Sequence, residues 1–320
     1  MKRFLLAAGV MLAAATVTTT AVLARNPQFQ GADPHAVYID GELWVFPTGG
    51  PGGSWAADRF GAFSSVDRKH WRSRGVIIRR DSITWIADDG AKEHFLWAPG
   101  VATKDGKWYL YYSVGPQNPT PSRIGVAVAS RPEGPYVDSG KPLLTGVLVK
   151  HGQGFEAIDP MTFVDPKSGK AYLYAGGSAG ARLRVFELTP DMVSIDHEVA
   201  VAQPPHFTEG VFMHERGGIY YLSYSHGHWN GPDYSVHYAT AMSPTGPWTY
   251  RGAILTSDAK HKGPGHHSFV QDPKTGEWLI VYHRWENPKG AMPFTGERQV
   301  AIDRLHYAAD GTILPIRMTD

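Results

Sequence analysis

The chain has 320 residues, with 31 Lys and Arg against 30 Asp and Glu, and it contains no cysteine. So even a balance gives no field to gather nucleic acid or an anionic membrane, which leaves a neutral partner. The absence of cysteine excludes disulfides and a lipid anchor on cysteine. Only 19% of the residues are charged, while 36 glycines, 24 prolines, 10 tryptophans, 15 tyrosines and 13 phenylalanines describe many short strands joined by tight turns.

Residues 1–24, "MKRFLLAAGVMLAAATVTTTAVLA", read as an export signal: two basic residues, an apolar run, then Val22-Leu23-Ala24, a small-residue pattern open to cleavage after Ala24. Threonines interrupt the run before it reaches the roughly 20 apolar residues of a membrane span. The expectation is an exported protein, periplasmic or extracellular, with no membrane attachment after cleavage. Residues 25–320 then form a single domain.

Within that domain a turn glycine followed by an aromatic strand occurs five times: "DGELWVFPT", "DGKWYLYYS", "SGKAYLYAGG", "GGIYYLSYS" and "TGEWLIVYHR". The glycines are Gly41, Gly106, Gly169, Gly218 and Gly276, between 49 and 65 residues apart. A second element, "AVASRPEGPYVDSGKPLL", returns as "ATAMSPTGPWTYRGAIL" and more loosely as "FSSVDRKHWRSRGVII", where a strand turns into an outer strand. No segment sustains a long 3.6-residue apolar period. Five units of four strands predict an all-β, five-bladed β-propeller, because radial repetition is how sheets of this size hide their edges. A β-sandwich would not require such a period.

Upstream of the turn glycines stand Asp33, Asp159, Glu209 and His266, eight to ten residues before Gly41, Gly169, Gly218 and Gly276; the second unit has Ala98, beside Trp97. One phase for all of them places each at the start of an innermost strand, aimed at the central funnel. A single acid before proline is most simply a turn residue, but packing disfavours converging carboxylates, which repel and lose hydration. Two carboxyls, one protonated and one ionised, are the parts that hydrolyse a glycosidic bond, and a third negative charge helps the acid keep its proton.

These residues carry a resemblance. "GADPHAVYIDGELW", "WAPGVATKDGKWYLYYS", "AIDPMTFVD", "TEGVFMHERGGIYYLSYS", "GPGHHSFVQDPKTGEWLIVYH" and "RQVAIDRLHYAADG", in this order, resemble glycoside hydrolase family 43 over essentially the whole chain after the signal. The resemblance implies an exported propeller that hydrolyses arabinose- and xylose-containing polysaccharides or oligosaccharides with inversion. It implies Asp33 as general base, Glu209 as general acid and Asp159 as the group that raises the acid's pKa. Where the family often has proline two residues after the acid, this chain has Val211.

The same resemblance puts Arg298 of "GERQVAID" in the substrate pocket and makes His266 a central imidazole beneath the sugar that in some members helps to hold a hydrated calcium ion. No cofactor is required; the calcium would sit in the funnel, although calcium prefers oxygen ligands. The adjacent His267 is the alternative ring. No spacing of the 15 histidines indicates zinc. Glu156, three residues before Asp159, competes as an acid, whereas Asp165 and Asp272 in "DPKSG" and "DPKTG" read as turn residues. Trp97 offers a flat face to a sugar ring; Phe155, Phe212 and Trp229 could serve either as such faces or as blade core. Exo-α-L-arabinofuranosidase is the first expectation, β-xylosidase the second and endo-arabinanase or galactan hydrolase the third. The non-enzyme alternative is a sugar-binding, lectin-like propeller, which would have no use for a buried proton donor. With the chain ending shortly after Arg298, no sandwich domain is expected to narrow the pocket, which favours an arabinosidase.

Overall fold

The computed structural model describes residues 25–49 and 55–320, so the export signal lies outside the described residues. Strands account for nearly all regular structure, and a single 3-10 turn, Arg80–Ser82, is the one helical element among the described residues.

Five sheets form the blades, each running outward from its first strand. Blade 1 is Ala32–Ile39, Glu42–Thr48, Arg59–Ser65 and Arg72–Arg79; blade 3 is Met161–Val164, Ala171–Ala175, Arg184–Leu188 and Ile195–Val199; blade 4 is Glu209–Arg216, Ile219–His226, Ser235–Ala241 and Thr249–Leu255. Blade 2 has Phe95–Lys104, Lys107–Gly115 and Arg123–Ala129, but its outer strand is broken into Val137–Asp138 and Leu144–Thr145. Gly140 and Pro142 fall in the gap, one taking a positive φ of 85° and the other lacking an N–H for the ladder. An extra hairpin, Val147–Lys150 with Gln153–Phe155, bridges to blade 3.

Blade 5 supplies only three strands from the C-terminal part of the chain, Lys262–Gln271, Trp278–Trp285 and Arg298–Leu305, and the N-terminal strand Phe29–Gln30 completes it, with Phe29 opposite Val300 and Gln30 opposite Gln299. Asn26 extends this closure: its carboxamide donates to Ile302 O (3.0 Å) and accepts from Ile302 N (3.0 Å), as a peptide of a neighbouring strand would. The ring is thereby closed without a free edge at the seam.

The core lies between blades. Trp44, Phe46 and Phe60 of blade 1 pack with Leu96 and Leu110 of blade 2, and Leu43 and Val45 pack with Leu279 and Val281 of blade 5. Each such side chain stabilises the fold by about 1.5–3 kcal/mol through burial. The first strands of neighbouring blades pack side by side around the axis. Their N-terminal ends form the floor of the site.

Candidate active site

Each inner strand opens on a left-handed residue: Asp33 (φ 48°), Ala98 (47°), Asp159 (56°), Gly210 (61°) and His266 (42°). Such a φ is uncommon outside glycine, and five at one phase mark a built feature. In four blades the pairing register slips there, between Ala32 and His35, Trp97 and Gly100, Glu209 and Phe212, and Gly265 and Ser268. The slip frees a backbone N–H from the ladder, and the preceding blade captures it. Ala98 N–H donates to Thr48 Oγ1 (2.6 Å), His266 N–H to Ser225 Oγ (2.8 Å) and Asp33 N–H to His283 Nδ1 (3.1 Å), and in blade 3, where the ladder starts only at Met161 and has no slip, Asp159 N–H makes the equivalent bond to Ser113 Oγ (2.9 Å).

All four acceptors stand seven residues after a turn glycine. In blade 3 that position is Gly176, where φ is 132° and a Cβ would lie 1.9 Å from Arg182 O. With no side chain available there, Gly210 N–H donates instead to the Asp159 carboxylate, Oδ2 at 2.9 Å. This corrects the expected phase of one acid. The residue in step with Asp33, Ala98, Asp159 and His266 is Gly210, and Glu209 precedes it by one, still at the funnel but approaching from the side of blade 4.

Three carboxyls meet here, each less than a tenth exposed. Arg298 Nη1 donates to Asp33 Oδ1 (2.9 Å), and His266 Nδ1 lies 3.4 Å from the same oxygen and 3.6 Å from Asp159 Oδ2. Burial alone would raise the Asp33 carboxyl, but the charges of Arg298 and then His266 outweigh it and hold Asp33 well below the usual carboxylate range. Asp159 goes the other way. Burial, then the facing charges of Glu209 and Asp33, push it well above that range against the opposing Gly210 N–H. Glu209 is gripped by two hydroxyls, Tyr234 to Oε1 and Ser178 to Oε2, both at 2.8 Å. Burial holds His266 below its usual range despite Asp33 and Glu209.

Above this floor opens a cavity of about 990 Å³ whose lining includes Trp97, Trp229, Gln117 and Arg298 as well as the three acids. Trp97 Nε1 donates to Trp55 O (2.6 Å), and the Arg298 guanidinium lies 4.9 Å from the Trp229 ring centroid. Phe155 and Phe212 are core residues between blades. His267 turns inward to Ser223 Oγ (2.7 Å), so His266 is the ring that reaches the funnel. Asp165 and Asp272 cap their turns, accepting from Lys167 N (3.2 Å) and Lys274 N (2.8 Å).

A profile of glycosyl hydrolases family 43 matches residues 24–313. The chain belongs to glycosyl hydrolase family 43. Among relatives of this family 43 enzyme, β-D-galactofuranosidase xynD of Aspergillus niger is 36% identical over 94% of this chain and 87% of its own length. Xylosidase/arabinosidase 43A of Humicola insolens is 30% identical, over 88% and 95%. Two solved structures share the architecture. A β-xylosidase/α-arabinofuranosidase from a compost microbial metagenome, a xylotriose complex in calcium-free form, superposes with a TM-score of 0.71 at 27% identity, covering 90% of this chain and 96% of that one. The α-L-arabinofuranosidase of Clostridium thermocellum superposes with a TM-score of 0.69 at 31% identity, over 90% and 94%. The family 43 chain is thus a glycoside hydrolase with a five-bladed propeller.

For calcium, the residues of this family 43 site fit poorly. Among the described residues no group of three or more His, Asp or Glu is arranged to hold an ion. His266 offers one imidazole, a nitrogen donor that calcium disfavours, and one oxygen of each nearby Asp is already engaged, Asp33 Oδ1 by Arg298 and Asp159 Oδ2 by Gly210. Sequence reasoning missed Tyr234, Ser178 and His283. Only His283 carried a signal, since it ends the fifth copy of the strand repeat at the place where Thr48, Ser113 and Ser225 end theirs.

Proposed function

We propose that the protein is an inverting, exo-acting α-L-arabinofuranosidase, exported before it acts, with Asp33 as general base and Glu209 as general acid. The observation that carries the reading is the opposite treatment of two carboxyls in one buried floor: Asp33 is bound by a guanidinium, whereas Asp159 and Glu209 face each other. Asp33, kept ionised, takes a proton from a water that attacks the anomeric carbon. Burial and the facing Glu209 charge push Asp159 well above the usual carboxylate range, so Asp159 holds a proton beside Glu209. Glu209, as the member reaching the glycosidic oxygen, gives a proton to the departing alcohol while the bond to the anomeric carbon breaks. Water adds on the face opposite the leaving group, so the configuration inverts.

Terminal-sugar specificity is supported by the floor itself, where acids less than a tenth exposed are reached from the cavity side. A furanoside is favoured by the names borne by the relatives: a β-D-galactofuranosidase at 36% identity and enzymes acting on xylosides and arabinosides at about 30%. The first of these supports a second reading, β-D-galactofuranosidase, because that sugar presents the same ring stereochemistry as α-L-arabinofuranose and adds one exocyclic carbon. Hydrolysis of matched p-nitrophenyl α-L-arabinofuranoside, β-D-galactofuranoside and β-D-xylopyranoside tests the choice. Highest kcat/KM on the arabinofuranoside is expected; a preference for the xylopyranoside overturns the furanose reading, and none released, with binding intact, favours an endo-enzyme or lectin.

A further inference from the structure

Glu156 is a buried acid that the reaction above leaves unused. Its side chain joins two loops of the cavity wall: Oε2 accepts from Gln117 Nε2 (3.0 Å), on the segment after the second strand of blade 2, and from Ala179 N–H (3.0 Å), on the loop after the second strand of blade 3. That second loop is under backbone strain, since Ser178 has φ 45° and Ala181 φ 41°. Left-handed non-glycine residues persist where surrounding contacts over-determine them.

The strained loop lies directly against the proposed acid. A Cβ on Gly177 would come 2.7 Å from the Glu209 Cβ, and Ser178 Oγ donates to Glu209 Oε2 at 2.8 Å. Holding the Ala179 N–H therefore holds the Ser178 hydroxyl, and with it one oxygen of Glu209.

We propose that Glu156 is a positioning residue, whose carboxyl fixes the 177–180 loop so that Ser178 keeps Glu209 in the orientation needed for proton transfer. The proposal rests on the reading of Glu209 as the acid. Burial and then the Glu209 charge push the Glu156 carboxyl up to about 7 against the Ala179 N–H and Gln117, and the other carboxyl it acts on is Asp159. The two donors oppose burial without outweighing it, so the clamp lies in the geometry of two bonds converging on Oε2, an oxygen that accepts whether or not the carboxyl carries a proton on Oε1.

The test is a cycle of Glu156→Ala, Ser178→Ala and the double variant, with Glu156→Gln as the conservative replacement, whose carbonyl still accepts from Ala179. Each Ala variant is expected to lose about tenfold in kcat with KM nearly unchanged, the double variant to lose no more than either single, and Glu156→Gln to recover most of the rate. Multiplicative losses, about a hundredfold in the double variant, or a Gln variant as poor as Ala, overturn the proposal. Amide exchange at Ala179, expected to accelerate in Glu156→Ala but not in Glu156→Gln, decides it independently of turnover. If Glu209→Ala retains the parent's rate, the acid assignment fails; unchanged exchange at Ala179 in Glu156→Ala sinks the positioning role itself.

Discussion

Arg298 reaches across the seam of the propeller to donate to Asp33 at 2.9 Å, tying the third strand of blade 5 to the first strand of blade 1. The contact fixes the ionisation of the proposed base and the closure of the floor together. Burial disfavours a charged carboxylate; at Asp33 the guanidinium reverses that preference.

Replacing Arg298 with Gln leaves burial as the first influence on Asp33 and raises its carboxyl. A lowered carboxyl keeps the base ionised to low pH, so the acid limb of kcat/KM for the parent lies low. In Arg298→Gln that limb moves to higher pH, and kcat/KM at the optimum falls by roughly 10²-fold or more as the charged contact to the base is lost. A pH–rate profile of both proteins checks this, and an unmoved acid limb would show that Arg298 does not set the base.

Asp159 carries the opposite sign. Its native carboxyl titrates above its unfolded value of about 3.8, so the unfolded chain binds fewer protons in between and stability falls as pH rises through that window. Asp159→Asn removes this penalty, and its carboxamide oxygen can still accept from Gly210 N–H. The variant is expected to be inactive yet more stable than the parent at neutral pH, by on the order of 1.4 kcal/mol for each unit of the rise, with the advantage vanishing near pH 4. Thermal melts at pH 4 and pH 7 read the difference; an Asn variant less stable at pH 7 contradicts the repulsion.

The interlock between blades predicts where stability resides. Ser113→Ala strands the buried Asp159 N–H, and Ser225→Ala that of His266. Each should cost about 1–3 kcal/mol, seen as a lower urea midpoint with unchanged m-value. Gly176→Ala should cost more than either, because its Cβ meets a backbone carbonyl at 1.9 Å.

Gly115 permits the position of Trp97, since a Cβ there would lie 2.0 Å from the indole. Gly115→Ala displaces the ring from the cavity wall while leaving the acids in place. KM is expected to rise about tenfold with kcat little changed; a fall in kcat at constant KM would assign Trp97 to the chemistry rather than to binding.

The five-blade repeat was legible because turn glycines and alternating aromatics are local signals, and Asp33, Asp159 and His266 followed from their phase. Glu209 was found for a reason only partly right. Counting back from Gly218 placed it within one residue of the phase, but the glycine at Gly176 that breaks the interlock, and so hands the Gly210 N–H to Asp159, is visible only when blades are neighbours. The closure by Phe29–Gln30 was hidden for the same reason: two residues carry no strand pattern of their own. Tyr234 and Ser178 come from loops whose approach to Glu209 depends on backbone geometry, including a left-handed serine that no composition rule anticipates.

The division of labour between Asp33 and Glu209 is tested most directly by leaving-group dependence. Glycosides of the preferred sugar bearing a 2,4-dinitrophenyl or a simple alkyl leaving group would be hydrolysed by the parent, Glu209→Ala and Asp33→Ala. An activated phenolate departs without a proton, so Glu209→Ala should keep most of its rate on the dinitrophenyl glycoside and lose about 10²–10⁴-fold on the alkyl one, whereas Asp33→Ala should lose comparably on both. Equal losses for Glu209→Ala on the two substrates would contradict its assignment as the acid.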